Sequence, residues 1–281
     1  MIDFHVHSTA SDGTETPETL AETSCDFAAI ALTDHDNCDG CACFLSACER
    51  LGVTGRRLAG IELSVDPGAG YGKFHLLGLG IDLAAPCLTD FLDEIRAGRN
   101  ERNRKILAKL NALGVPVTIE EVGRYANGKI VARPHIARVI VEKGFAGNIY
   151  EAFRRYVGDG APAYVTRYRP APERAIDVLH RAGGVAVMAH PRYWTADPEA
   201  LLTGLARLQA LGLDGIEAEY QANAPDETIL HLRTARALGL AVTAGSDFHG
   251  ANKPTVTLGM AVGDEQAFLA PFWQALASVR R

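Results

Sequence analysis

Long apolar runs, a basic charge excess and a dense cysteine framework are all missing from this sequence. No apolar run approaches the roughly 18 residues that mark a membrane-spanning helix, and the amino terminus has no signal-peptide pattern. The formal net charge is −6, so there is no global basic field of the kind that favours wrapping by nucleic acid. We therefore expect a cytoplasmic protein with no membrane partner and no stable duplex nucleic-acid partner.

The six cysteines do not suggest a disulfide scaffold in a chain of 281 residues. Four of them cluster at Cys38, Cys41, Cys43 and Cys48. A C-x-x-C pair is compatible with zinc or redox chemistry, but no second pair follows at the distance of a zinc finger. Small residues surround the cluster in a helix-like pattern, so packing is the favoured interpretation and a metal site is the alternative.

Predicted strands alternate with predicted helices over most of the chain. Buried-strand runs such as 27–32 and 184–188 are followed by helical segments, which is typical of βαβ units in a parallel sheet or barrel. Residues 88–165 break this rhythm, because only helical periods follow one another there. The sequence predicts an α/β domain with a parallel sheet or barrel, formed by residues 1–87 and 166–281, and a small all-helical insertion at 88–165 that is expected to cap the active site.

The first predicted strand carries two histidines, His5 and His7. Side chains alternate between the faces of a strand, so both imidazoles point the same way while Val6 points into the core. The turn that follows brings Asp12 back over the same end. Alone, this pattern favours two half-exposed histidines on a strand, but most of the other histidines also occupy positions where predicted strands end.

Six of the nine histidines are assigned to strand ends, His135 lies in the predicted helical insertion, and the other two, His180 and His231, lie in predicted helices. The carboxyl ends of the strands in a parallel barrel converge on one face, where active sites lie. The residues assigned to this face, including one from a strand predicted at 73–79, are His5, His7, His35, Glu62, His75, His190, Asp247 and His249.

Imidazoles combined with the carboxylates of Asp12, Glu62 and Asp247 suit Zn, Mn or Fe ions. Two or three such ions would clamp a phosphoryl group and generate hydroxide at neutral pH. Amides and lactams are alternative substrates, for which one or two ions suffice. Metal storage or sensing is the non-enzymatic alternative, although a sensor needs only a few ligands and this chain has many more candidate ligand positions.

Four arginines help to choose among these substrates. Arg99 and Arg102 share one face of a long predicted helix, while Arg133 and Arg192 each lie two residues from a predicted site histidine. Because arginine matches phosphate oxygens in a bidentate manner, the set favours a substrate with more than one phosphate. A solvated helix face is the alternative explanation for Arg99 and Arg102.

Seven motifs, in order along nearly the full chain, resemble those of the PHP (polymerase and histidinol phosphatase) family. They are H-V-H-x-x-x-S-D-G at 5–13, T-D-H-D at 33–36, G-I-E at 60–62, F-H-L-L-G at 74–78, R-P-H at 133–135, A-H-P at 189–191 and S-D-F-H at 246–249. The arginine-containing insertion resembles that of the nucleoside 3′,5′-bisphosphate phosphatases, a subgroup that includes exonucleases acting on the 5′-ends of short RNA.

The resemblance implies a distorted (β/α)7 barrel with two or three divalent metal ions, Mn²⁺ by preference and Fe²⁺ or Zn²⁺ as alternatives. Family members place histidine or aspartate at the Asp12 position, so the third site is the weaker one. The implied ligands are His5, His7, Glu62 and Asp247 for the first ion, Glu62, His75 and His135 for the second, and Asp12, His35 and His249 for the third.

The resemblance also implies a mechanism in which a metal-bridging hydroxide attacks phosphorus and Asp247 takes its proton. His190 contacts the phosphate or protonates the leaving 3′-oxygen. Arg133 and Arg192 contact the phosphate near the metals, and Arg99 and Arg102 hold a second phosphate.

The expected function is therefore hydrolysis of a phosphate monoester in a small, nucleotide-like substrate. The 3′-phosphate of a nucleoside 3′,5′-bisphosphate ranks first, with short RNA 5′-ends as a further substrate. The alternatives are a cyclic phosphodiesterase acting on a sugar cyclic phosphate, a histidinol phosphatase, and a non-catalytic accessory module. Tyr193 or Trp194 either stacks on a base or packs on the barrel rim.

Overall fold

A computed structural model describes residues 1–66, 68, 74–125 and 131–280. The chain divides into two compact units. One unit, called the barrel unit below, consists of Met1–Phe91 and Arg169–Arg281, and the other, the helical unit, consists of Leu92–Tyr168. The boundaries predicted from the sequence were at 88 and 165, and a single long helix, Pro86–Ala112, runs through the first of them.

The barrel unit contains a seven-stranded sheet in which the strands follow one another in chain order. This confirms the predicted barrel fold. The strands are β1 (Ile2–Val6), β2 (Ala29–Leu32), β3 (Arg56–Val65), β4 (Phe74–Leu79), β5 (Val185–Met188), β6 (Gly215–Tyr220) and β7 (Ala241–Gly245).

One strand runs against the predicted direction. β4 is antiparallel to both β3 and β5, whereas the other pairs within the sheet are parallel. The expectation of an all-parallel barrel was wrong here, because the connection between Val65 and Phe74 is too short for a helical crossover and suits only an antiparallel return. Lys73, the first residue of the predicted strand, lies outside the described residues.

The two edge strands, β1 and β7, meet and nearly close the barrel. The His5 carbonyl accepts from Asp247 N at 2.9 Å, and His7 N donates to the Phe248 carbonyl at the same distance. Below this seam, the buried Asp3 carboxylate accepts from Ser246 N at 3.0 Å and from Ser246 Oγ at 2.6 Å. Burial raises the pKa of Asp3 to about 6 against the effect of these bonds.

The helices begin where local capping signals predict. Thr16 caps the first helix by accepting from Thr19 N at 3.1 Å, and Pro17 occupies the first turn. No helix of the described residues is long and apolar enough to cross a membrane. The helices outside the insertion are α1 (Pro17–Thr23), α2 (Cys41–Arg50), α3 (Pro86–Ala112, which continues into the helical unit), α7 (Pro172–Arg181), α8 (Pro198–Ala210), α9 (Pro225–Leu238) and α10 (Glu265–Val279).

Helix α10 was absent from the sequence-based prediction, since Pro271 interrupts its helical pattern. It covers one end of the barrel core. Phe272 is fully buried, with its ring centroid 5.0 Å from that of Phe4, and Leu276 joins the same cluster. Burial of large aromatic and aliphatic side chains of this kind supplies most of the driving force for folding.

The cysteine cluster packs around α2. Cys41 and Cys48 are buried, Cys38 is half-buried and Cys43 is exposed. The Cys41 thiol lies 3.3 Å from the Gly60 carbonyl. Among the described residues, no group suited to a metal ion contains a cysteine.

The helical unit has its own apolar core, which includes Ile106, Leu110, Ile136 and Ile140. Its remaining helices are α4 (Ile119–Gly123), α5 (Arg133–Glu142) and α6 (Ile149–Ala152), the last continuing as a π-helical turn over Phe153–Val157. A capping box between Thr118 and Glu121 starts α4.

Candidate metal centre

The barrel unit gathers histidine and carboxylate side chains at one end. Buried strand β1 supplies His5 and His7, whose ring centroids are 5.1 Å apart. The other contributors are His35 after β2, Glu62 from β3, His75 from β4, His190 after β5, and Asp247 and His249 after β7.

Two of the predicted strand-end positions were wrong in detail. Glu62 lies inside β3, because pairing with β4 prolongs that strand to Val65. His75 is the second residue of β4, but since β4 runs in the opposite direction its beginning reaches the same end of the barrel. His135 lies in the first turn of α5.

Glu62 is the central ligand candidate. Its Oε2 lies 3.2 Å from His5 Nε2, 3.1 Å from His7 Nε2 and 2.8 Å from His35 Nδ1. Its Oε1 lies 2.6 Å from His75 Nδ1. Each carboxylate oxygen therefore faces different imidazoles, which is the arrangement expected of a carboxylate that bridges two ions.

Asp12 and Asp247 extend the cluster on either side of His7. Asp247 Oδ1 is 3.4 Å from His7 Nε2 and 3.7 Å from His5 Nε2. Asp12 Oδ1 is 3.2 Å from His249 Nε2, and Asp12 Oδ2 is 3.8 Å from His35 Nε2. The rings of His7 and His249 are stacked with centroids 4.0 Å apart.

These side chains form four overlapping groups that could hold a metal ion. His190 belongs to one of them, since its Nε2 is 3.0 Å from Glu62 Oε1, although the sequence suggested a substrate contact for this residue. The groups are His7, Asp12, His35 and His249; His5, His7 and Asp247; His5, Glu62 and His190; and His35, Glu62 and His75.

The donor atoms fit divalent cations. His5 Nε2, His7 Nε2 and Glu62 Oε2 are buried and have no hydrogen-bond partner within the described structure. Buried polar atoms are normally satisfied, and these three converge on a common space. Imidazole nitrogens and carboxylate oxygens in this proportion suit zinc, manganese or iron.

Charge interactions keep the carboxylates ionised. Burial alone would raise the pKa of Glu62, but the imidazoles of His35, His75 and His5 hold it well below its ordinary value. For His7, burial lowers the pKa while Asp247 and Glu62 raise it, to about 9 overall. Metal binding at His7 would therefore displace a proton from its imidazole, whereas Glu62 is already ionised.

Buried carboxylates that the sequence reasoning missed support the ligands. Glu217 Oε1 lies 3.0 Å from His5 Nδ1, and Glu217 Oε2 accepts from His190 N at 2.7 Å. Asp34 accepts from Ser8 N at 2.8 Å and from Ser11 Oγ at 2.6 Å, which fixes the loop after β1. A sequence signal for Glu217 exists, because Gly215-Ile216-Glu217 repeats the G-I-E of 60–62.

Backbone strain concentrates at this end of the barrel. Asp36, His190 and Asp247 have φ angles of 52°, 29° and 58°, and they are the only non-glycine residues with positive φ in the described part of the chain. Non-glycine residues in such conformations persist where the surroundings enforce them, typically at functional sites.

The cluster opens into a cavity of about 330 Å³. Trp194 packs so closely on Gly204 that an added Cβ would lie 2.1 Å from its ring, and its centroid is 5.6 Å from that of Phe74. Tyr193 is 63% exposed. The cavity is lined by His35, Glu62, Phe74, His75, His190, Tyr193, Trp194, Asp247 and Lys253.

Some predicted site residues belong to the helical unit. His135 Nδ1 accepts from Ala132 N at 3.2 Å. Arg99 and Arg102, on α3, are only 8% and 5% exposed, so the solvated helix face considered for them does not describe their surroundings. Their predicted roles in holding a metal or a phosphate stay predictions.

The remaining two arginines have carboxylate partners. Arg133 Nη1 lies 2.7 Å from Asp159 Oδ1 within the helical unit. Arg192 Nη1 lies 3.5 Å from Glu227 Oε2 within the barrel unit. Their predicted phosphate contacts also stay predictions.

Comparison with known proteins identifies the family. The model of the PHP domain matches residues 3–182. The chain belongs to the PHP family. It is 34% identical over 278 residues to a 3′,5′-nucleoside bisphosphate phosphatase from Chromobacterium violaceum, covering 98% of this chain and 96% of the relative. It is also 34% identical over 251 residues to the 5′-3′ exoribonuclease Rnm from Salmonella typhimurium, covering 89% and 85%.

A solved structure has the same fold. The protein, from Bifidobacterium adolescentis, is described as a metal-dependent phosphoesterase; it superimposes with a TM-score of 0.78 at 29% identity and covers 96% of each chain. Together with the two relatives, it identifies this PHP protein as a metal-dependent hydrolase of phosphoric esters. The predicted enzyme class is confirmed, and the His, Asp and Glu groups are the candidate sites for its divalent ions.

Proposed function

We propose that this PHP enzyme removes the 3′-phosphate from nucleoside 3′,5′-bisphosphates. The observation that carries the proposal is a cavity lined both by metal-ligand candidates and by the aromatic rings of Phe74, Tyr193 and Trp194. Phosphoryl oxygens suit the metal-ligand candidates and a base or ribose suits the aromatic rings. The almost full-length relative named as a bisphosphate phosphatase supports the same substrate.

Divalent ions in the cluster would neutralise phosphoryl charge and supply a strong nucleophile at neutral pH. His5, His7, Glu62 and Asp247 would hold one ion, Glu62 and His75 with His135 a second, and Asp12, His35 and His249 a third. His190, whose Nε2 lies 3.0 Å from Glu62 Oε1 within the cluster, would protonate the leaving 3′-oxygen. Asp247 accepts the proton of the attacking water at its carboxylate.

The second phosphate of the substrate would be held by arginines. Arg99 and Arg102 lie three residues apart on α3 and are buried, and buried arginines normally face anionic or polar partners. Arg133 and Arg192 would exchange their present carboxylate partners for phosphate oxygens near the metals. This division of roles predicts that a monophosphate is a much poorer substrate than a bisphosphate.

Phosphate release from the manganese-loaded protein tests the substrate. The comparison uses adenosine 3′,5′-bisphosphate, AMP, ribose 1,2-cyclic phosphate and histidinol phosphate. Release from the bisphosphate, with AMP as the product, is expected. Turnover of only the cyclic diester would contradict the proposal and favour a cyclic phosphodiesterase.

A matched pair of variants tests the arginines. Arg102→Met should raise the KM for the bisphosphate about tenfold to a hundredfold, the worth of a hydrogen bond to a charged group. Arg104→Met removes an exposed arginine from the same helix, where it pairs with Glu101, and should leave KM unchanged. An equal response of the two variants would remove Arg102 from the phosphate site.

Short RNA is a second substrate class, favoured by the exoribonuclease relative. A 5′-phosphorylated trinucleotide with a labelled 3′-end distinguishes the two activities. Stepwise shortening from the 5′-end would show exonuclease activity in the same site. An intact oligonucleotide alongside rapid release from the bisphosphate would restrict the enzyme to mononucleotides.

A further inference from the structure

The cavity next to the metal-ligand cluster has one permanently cationic lining residue among the described residues, Lys253. It lies just beyond the S-D-F-H motif, in a segment to which the sequence reasoning assigned no function. Arg192, the barrel arginine predicted to contact phosphate, pairs instead with Glu227 and does not line this cavity. The basic side chain that lines this cavity is therefore Lys253 and not Arg192.

Lys253 and the metal ligands use different oxygens of Asp247. Lys253 Nζ is 2.6 Å from Asp247 Oδ2, and Tyr220 Oη donates to the same oxygen at 2.9 Å. Oδ1 faces the imidazoles of His5 and His7. The ammonium group can thus keep its bond to Oδ2 while Oδ1 binds a metal ion held with His5 and His7.

The ammonium group has donors to spare. A lysine carries three N–H donors, and Asp247 takes one of them. The side chain is 38% exposed, and it borders the cavity. The remaining donors are therefore available to an anion that enters from solvent.

The backbone around Lys253 is anchored. Asn252 Nδ2 donates to the Asp12 carbonyl at 2.7 Å, and Ala251 N donates to Thr14 Oγ1 at 2.9 Å. These bonds tie the lysine segment to the loop that carries the candidate ligand Asp12. The backbone of Lys253 is thereby held next to this loop, and the bond to Asp247 Oδ2 orients its ammonium group.

We propose that Lys253 is a substrate-binding residue that donates from Nζ to a non-bridging oxygen of the phosphoryl group undergoing transfer. The inference rests on the proposed phosphatase function and adds a residue to it. The Asp247 carboxylate already contacts His5 and His7 through Oδ1 and Lys253 through Oδ2. A bound phosphoryl group would add further negative charge beside the ammonium group. The contact favours binding of a dianionic monoester over an uncharged ester, because a hydrogen bond from the ammonium group is stronger when the accepting oxygen is charged.

Binding of inorganic phosphate to the manganese-loaded protein tests the contact without any nucleotide. Lys253→Met should weaken phosphate binding, measured by calorimetry, about tenfold to a hundredfold. Lys253→Arg keeps the charge and should restore most of the affinity. Lys105→Met, which removes an exposed lysine paired with Glu101, is the matched control and should bind phosphate like the parent protein.

Manganese content and steady-state kinetics separate a substrate contact from a purely positioning role. A contact predicts unchanged manganese content together with a higher KM for the bisphosphate. Loss of manganese in Lys253→Met would show that the lysine only holds Asp247 and would overturn the proposal. Unchanged phosphate affinity in that variant, with manganese retained, would overturn it as well.

The same measurements distinguish failure of this inference from failure of the proposed function. If the parent protein does not hydrolyse the bisphosphate but Lys253→Met still weakens phosphate binding, the substrate assignment fails and the lysine contact stands. If the bisphosphate is hydrolysed and the variant behaves like the parent, the substrate assignment stands and the lysine contact fails.

Discussion

Glu217 and His5 form a fully buried pair in which Glu217 Oε1 lies 3.0 Å from His5 Nδ1. A carboxylate in this position holds the proton on Nδ1 and leaves Nε2, 3.2 Å from Glu62 Oε2, as the atom that can bind a metal ion. The second oxygen of Glu217 accepts from the backbone of His190. One side chain on β6 thus orients a ligand on β1 and the strained residue after β5.

Replacing Glu217 with glutamine should weaken metal binding without unfolding the protein. An amide can satisfy either His5 or the His190 N–H as an acceptor, but not both, so we expect a loss of about tenfold to a hundredfold in manganese affinity. Competition with a fluorescent chelator measures it. Glu219→Gln, on the same strand but outside the metal groups, is the control, and equal affinities for both variants would contradict the orienting role.

Removal of divalent ions should lower the melting temperature of the barrel unit. Ligands that bind only the folded state stabilise it, and a hundredfold excess over Kd corresponds to a rise of about 5 to 10 °C for a domain of this size. Thermal melts after chelation, with and without added Mn²⁺, measure the shift. Glu62→Gln, which alters the central carboxylate, should lose most of the shift; a full shift in that variant would place the ions elsewhere.

Stability should depend on pH through His180, away from the metal cluster. His180 Nε2 is 2.7 Å from Asp214 Oδ2, and this bond raises the pKa of His180. A raised folded-state pKa adds stability that is complete below the unfolded value near 6.5 and disappears as the pH rises through the folded value.

His180→Gln should therefore lower the free energy of unfolding by roughly 0.5 to 1 kcal/mol at pH 5.5 and by less at pH 9. Urea titrations at the two pH values measure the difference. Arg181→Gln changes the neighbouring exposed residue and should show no comparable pH dependence. A loss of unfolding free energy that is larger at pH 9 than at pH 5.5 would contradict the prediction.

Truncation of Phe272 should strongly destabilise the barrel unit. The ring is fully buried against Phe4, so Phe272→Ala leaves a cavity and should cost about 3 to 5 kcal/mol. Urea unfolding measures this loss. Gln274→Ala, on the exposed face of α10, should change stability by less than about 0.5 kcal/mol.

Local signals explain which parts of the fold could be predicted. The first helix begins at Thr16 and Pro17 because capping and proline preference act within one turn. The direction of β4 depends on the pairing partners on either side, which no local pattern encodes. The last helix contains a proline, and its formation depends on packing against Phe4 and its neighbours.

The candidate ligands could be predicted because metal chemistry restricts them to a few residue types at strand ends. Their supporting residues are less restricted. Glu217 lies within a buried strand, and the repeat of G-I-E at 215–217 is its sequence signal. Lys253 follows the last motif on a loop, and only the folded chain shows its ammonium group next to Asp247.

The closure of the barrel joins residues that are very distant along the chain, since Asp3 and Ser246 are 243 positions apart. Contacts of this separation are slow to form, because the entropy lost in closing a loop increases with its length. An ion held jointly by His5, His7 and Asp247 would act as a reversible crosslink across the same seam. Binding of this ion would then require that β1 and β7 have already met. A chain that ends before β7 lacks Asp247 and would not hold the ion at this position.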